Sequence, residues 1–133
     1  MARITDTVRI RHTDAICCVM DTISRQTAEH YRWGRQCDGW HLVRSDSLSV
    51  IEECMPSGAS EVAHHHVTAR QFFYVLSGQL DMHLGDSVRS IRAGEGLEIS
   101  PRIIHRAHNT SEYEVRFLVC SVPPTKGDRI NSA

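Results

Sequence analysis

His64 and His66 sit two residues apart, and His105 lies about forty residues further on. Side chains at positions i and i+2 of a β-strand point to the same face. In a strand, His64 and His66 therefore aim two imidazoles at one point, while His65 points the other way. Neutral imidazole binds iron, manganese, nickel, zinc and copper. A third imidazole from a neighbouring strand would complete a site for a divalent transition metal. The competing arrangement is a metal-free cluster in which the rings hydrogen-bond one another. A lone histidine in a strand is usually a surface or hydrogen-bonded residue, so the expectation rests on the three positions together.

Such a site needs strands to hold it, and the surrounding sequence reads as strands. Trp40–Val43, Leu48–Met55, Glu61–His66 and Gln71–Leu76 come first. Gln79–Leu84, Ser87–Ile91, Leu97–Ile99, Ile104–Asn109 and Val115–Val122 follow. Pro56, Ser57 and Gly58 break the second strand, Ser77 and Gly78 make a tight connection, and Pro123 and Pro124 end the last strand. About nine short strands with frequent turns indicate an all-β sandwich or barrel. Closing such a barrel hides its edges and leaves an interior cavity. Residues 1–30 read as an N-terminal extension, with a short helix expected over Asp21–His30. Residues 31–128 form the barrel and 129–133 a tail.

The chain has 133 residues and a formal net charge of −1. That length suits one domain whose core needs no disulfides. The basic residues are dispersed, which argues against nucleic acid as a partner. Lys126 is the only lysine among the basic residues. Five cysteines without a C-x-x-C pair indicate free thiols and a reducing compartment. The N-terminal apolar run from Ala15 to Met20 is too short for a signal-peptide core, and nothing reaches the length of a membrane span. These features lead to the expectation of a cytoplasmic protein without a membrane partner.

Two motifs resemble those of the cupin family. Gly58, five residues, His64-x-His66, four residues, Gln71, six residues and Gly78 is similar to the first. Gly94, five residues, Ser100, then His105, three residues and Asn109 is similar to the second. The resemblance implies an antiparallel double-stranded β-helix, or jelly-roll barrel. It also implies a divalent metal held by His64, His66, Gln71 and His105. The family usually has glutamate at Gln71, often proline at Ser100 and often glycine at Arg102. An amide oxygen at Gln71 can coordinate but carries no charge. The metal would then keep its full dipositive charge and act as a stronger Lewis acid towards an anionic ligand. The alternative reading of Gln71 is an amide that hydrogen-bonds a neighbouring imidazole or water. Family members with three histidines and no acidic ligand are known.

The same alternation places Phe73 and Val75 beside Gln71, lining the cavity. Phe72, Tyr74 and Leu76 then face outward. Asn109 shares the His105 face, where it either lines the pocket or ties down a turn. His83 and His108 are expected at the surface. Glu52 and Glu53 are adjacent, so one of them faces the interior and could serve as the catalytic acid or base. The other reading of either residue is a salt bridge with Arg44 or Arg116. The resemblance implies dioxygenase, isomerase or decarboxylase chemistry on a small polar or anionic molecule. A non-catalytic barrel that binds or senses such a molecule is the alternative. A homodimer is expected, because a small barrel with an extension has an edge to cover.

Overall fold

The computed structural model describes residues 20–132. They form eleven strands and, among the described residues, no helix. The strands are β1 (Glu29–Trp33), β2 (Cys37–Arg44), β3 (Ser49–Met55), β4 (His64–His66), β5 (Arg70–Ser77) and β6 (Gln79–Leu84). The remainder are β7 (Ser87–Arg92), β8 (Gly96–Ile99), β9 (His105–His108), β10 (Val115–Val122) and β11 (Arg129–Asn131). One sheet has the order β1-β2-β3-β10-β5-β8 and the other β11-β4-β9-β6-β7. Every strand pairing is antiparallel. Strands distant in sequence lie side by side, as in a jelly roll.

The two sheets close on an apolar core that includes Met55, Val75, Leu80, Met82, Val115 and Phe117. Alternation along the strands accounts for it. Leu80 and Met82 of β6 are fully buried, and Val115, Phe117 and Val119 of β10 point inward in the same phase. Phe72 and Leu76 of β5 face outward and are exposed, as their phase requires.

Two differences from the sequence reading lie at the ends. The helix expected over Asp21–His30 is not formed. Ser24 to Ala28 make a turn, with the Thr27 and Ala28 amides both donating to the Ser24 carbonyl. Residues from Glu29 join the sheet as β1, because β2 offers an unpaired edge. Residues 129–131 are β11 and not a loose tail, pairing residue for residue with His64–His66. The rest of the N-terminal extension, 1–19, lies outside the described residues.

Gly78 turns β5 into β6 at φ 83°. A β-carbon there would sit 2.7 Å from the Glu114 carbonyl oxygen. The obstruction is backbone and cannot swing aside. Left-handed strain and overpacking together should make Gly78→Ala destabilising by roughly 2 kcal/mol or more. Urea unfolding should show this as a lower midpoint at unchanged slope. Arg102, at the position where glycine is usual, adopts φ 69°. Its amide donates to the His66 carbonyl at 2.6 Å, which ties the turn before β9 to the end of β4.

Candidate metal centre

His64 and His105 are direct partners across the β4–β9 ladder. Cross-strand partners share a face, and His66 shares it by alternation. All three side chains are buried. Their ring centroids lie 5.0 Å (His64–His66), 4.4 Å (His64–His105) and 5.8 Å (His66–His105) apart. One nitrogen from each ring falls within 4.8 Å of the others. The convergence expected from the sequence is present.

Backbone contacts orient two of the rings. His64 Nδ1 lies 2.8 Å from the Val62 carbonyl, and His105 Nδ1 lies 2.8 Å from the Ile103 carbonyl. A carbonyl only accepts, so each Nδ1 carries the proton and each Nε2 keeps its lone pair. Of the six buried side-chain atoms without a hydrogen-bond partner among the described residues, three belong to this site: His105 Nε2, His66 Nδ1 and Gln71 Oε1. Gln71 reaches in from β5 on the opposite sheet, and its amide nitrogen donates to Ser121 Oγ at 3.1 Å. That bond turns the amide oxygen away from Ser121 and leaves it free to act as a donor atom. A buried acceptor without a partner costs about 1–3 kcal/mol. The orphaned lone pairs of His105 Nε2 and Gln71 Oε1, beside the His64 and His66 imidazoles, fit a cation, so these residues suit the metal that the motifs imply.

Burial pushes His64 down to about 3 and His66 to about 4, with the neighbouring His105 adding to both effects. Burial also lowers His105. All three rings are therefore neutral near pH 7, the state a metal requires.

His64 and His66 open onto a cavity of about 190 Å³, with His105 behind them and not part of its lining. Gln71 and Phe73 line it, together with Tyr31, Glu53, Glu61 and Arg129. Val75 does not reach it. That side chain is fully buried in the apolar core, so sharing a face with Gln71 was insufficient. Asn109 is also fully buried away from the cavity. Its amide donates to the carbonyls of Met55 and Tyr113, and its oxygen accepts from Ser111, so it ties down a turn.

The two adjacent glutamates separate cleanly. Glu53 pairs across the sheet with Gly39 and Phe117, in the inward row, and lines the cavity. A β-carbon on Gly39 would overlap the Tyr31 ring, so this glycine lets Tyr31 lie across the strand beside Glu53. Glu52 pairs with Trp40 and Leu118 in the outward row. It forms ion pairs with Arg116 at 3.0 Å and Arg25 at 3.1 Å, and is no part of the cavity. Arg44, the other candidate partner, pairs with Glu29.

Glu61 was not anticipated. A regular strand would turn Val62 inward and Glu61 outward. The phase breaks before His64, leaving Val62 exposed and Glu61 in the cavity. Its carboxylate accepts the Ala107 amide at 3.1 Å and lies 3.8 Å from His64 Nδ1. Burial pushes Glu53 up to about 8 and Glu61 to about 7. The negative charge of Glu61 adds to the Glu53 shift, and Arg129 opposes both.

These shifts set how stability of the metal-stripped protein depends on pH. Glu53 and Glu61 bind protons more tightly folded than unfolded. Their contribution is full below about 4.5 and falls as pH rises towards 7–8. His64 and His66 bind protons less tightly folded. Their contribution is full above about 6.5 and falls as pH drops towards 3–4. Stability should peak between these limbs, near pH 4.5–6.5. Each group contributes at most about 1.4 kcal/mol per pH unit. Urea titrations at several pH values should show the peak, and Glu53→Gln should flatten the alkaline limb.

Comparison with known proteins places this architecture. Residues 51–121 match the cupin domain model, and the chain belongs to the cupin family. An uncharacterised protein of Methanocaldococcus jannaschii, MJ1618, is 29% identical over 84 residues, 63% of this chain and 67% of that protein. Protein SchB of Streptomyces halstedii is 34% identical over 55 residues, 41% of this chain and 40% of its own length. Among solved structures, the polyketide cyclase RemF of Streptomyces resistomycificus aligns with a TM-score of 0.75 at 19% identity. That alignment covers 86% of this chain and 87% of RemF. At that identity the likeness is one of fold.

Proposed function

We propose that the chain is a metal-dependent enzyme performing proton transfer next to a carbonyl of a small polar or anionic metabolite. The observation that supports this most directly is Glu53. It is an acid with strongly raised proton affinity, set in the cavity lined by His64 and His66 of the three-histidine cluster. His64, His66 and His105 would hold the ion, with Gln71 Oε1 as a further donor. A divalent ion bound there would polarise a carbonyl or enolate oxygen of the ligand.

The chain's own residues do the rest. A carboxyl with a pKa near neutrality can both take and return a proton at physiological pH. Glu53 fills that role, moving the proton at the carbon beside the carbonyl. Tyr31 faces the same space. Burial, reinforced by the charge of Glu53, holds its phenol protonated, as a hydrogen-bond donor. Phe73, Phe117 and Val119 form the apolar wall that excludes water. Glu61 accepts the Ala107 amide and steadies the loop before His64. Isomerisation and aldol-type cyclisation begin with such an enolising step, and decarboxylation, in which loss of carbon dioxide itself leaves an enolate, ends with the reverse delivery of a proton to that carbon. RemF, which shares the fold, is described as a polyketide cyclase.

The test is exchange of solvent deuterium into the carbon acid of simple keto compounds, followed by proton NMR. Metal-loaded protein should accelerate exchange, and Glu53→Gln should remove most of the acceleration. Binding of the same compounds without exchange would favour a purely ligand-holding barrel.

A further inference from the structure

Arg129 lies opposite His66 in the β4–β11 ladder, with Ile130 opposite His65 and Asn131 opposite His64. The register puts Arg129 on the same side of the ladder as His66, and like the rest of β11 it stays solvent-exposed, at the mouth of the site. Arg129 lines the cavity that Glu53, His64 and His66 share. Its guanidinium is held by neutral groups. Nε donates to Asn131 Oδ1 at 2.8 Å, and Nη2 to the Val62 carbonyl at 3.4 Å. Among the described residues, Arg25, Arg32, Arg44, Arg70 and Arg116 each pair with a carboxylate. Arg35, Arg89, Arg92, Arg102, Arg106 and Arg129 are absent from those ion pairs, and of these Arg129 is the one that lines the cavity with Glu53 and Glu61.

We propose that Arg129 anchors an anionic group of the ligand, so that the cavity selects small carboxylates that also carry a carbonyl oxygen. This rests on the proposed function and names its substrate class. A guanidinium presents a planar fork of donors that matches a carboxylate in two parallel hydrogen bonds. Asn131 and the Val62 carbonyl fix the plane of the fork before ligand arrives, which lowers the ordering cost of binding. The cavity's modest volume of about 190 Å³ suits a small acid. It is below the roughly 300–1,000 Å³ usual for sites that take drug-sized ligands.

Calorimetric titration with acetoacetate and its neutral counterpart acetoacetamide tests this in untreated protein. A charged hydrogen-bonded pair is worth enough to change affinity about 10-fold or more. Wild-type protein should therefore prefer acetoacetate by about that factor. Arg129→Gln should lose the preference while acetoacetamide affinity and metal content stay unchanged, and Arg129→Lys should restore part of it. Equal weakening of both probes, a preference that survives in Arg129→Gln, or failure of wild-type protein to bind either probe would overturn the anchor. Calorimetry detects binding whether or not turnover follows. A protein that shows the preference but no deuterium exchange would refute the enzymatic reading and leave the anchor standing.

Discussion

Replacing His64 and His66 together with alanine should abolish metal binding. Elemental analysis of untreated protein is expected to find about one transition-metal ion per chain in the wild type and almost none in the variant. The loss should be nearly complete, because His105 and a neutral Gln71 are too few donors to retain a divalent ion against water and competing ligands. Exchange activity should fall to background with it. The variant should still fold. His64 and His66 occupy one short strand, and the apolar core around Leu80, Met82 and Phe117 does not include them. Each imidazole also leaves a buried site where an atom lacked a partner or lay near other rings. Metal-stripped wild type and variant should therefore differ little in urea midpoint at pH 7. Equal metal content in the two proteins would remove the site.

Glu53→Gln carries the second large effect. The substitution keeps shape and removes the titrating group, so exchange should slow by about 10²–10⁴-fold. Metal content should be unchanged, since Glu53 is not among the three clustered ligands. The pH profile is the sharper readout. Rate should depend on a group titrating near 8 in the metal-free cavity, and lower once a cation is bound nearby, because positive charge favours the carboxylate. That dependence should vanish in the variant. Stability should move the other way. Glutamine imposes no buried charge, so the variant should be more stable than wild type at pH 8 when metal-stripped. Loss of function with gain of stability would distinguish a proton-transferring group from a structural one.

The sequence was legible where regular alternation and turn chemistry agreed. β6 and β10 fall where period-two patterning put them, because each is long and bounded by glycine, proline or polar turns. The three histidines were legible because β4 is regular between His64 and His66, and the motif spacing marks a return strand at His105. Glu61 was hidden by a local break in phase. Its carboxylate takes the Ala107 amide that a continuous ladder would have given to backbone, so alternation pointed to Val62 instead. Arg129 was hidden by brevity. Three residues beyond two prolines show too little periodicity to declare a strand, and only pairing with β4 makes them one. Glu52 and Glu53 could be narrowed to one inward and one outward. Which was which depended on cross-strand partners, Gly39 and Phe117 against Trp40 and Leu118, that no single segment reveals.

Anomalous X-ray scattering at transition-metal absorption edges, from crystals of protein purified without added metal, tests the site most directly. The account predicts one strong peak per chain, bonded by imidazole nitrogens of His64, His66 and His105. A well-ordered crystal with no peak among those rings, their nitrogens hydrogen-bonded to one another or to water, would contradict it.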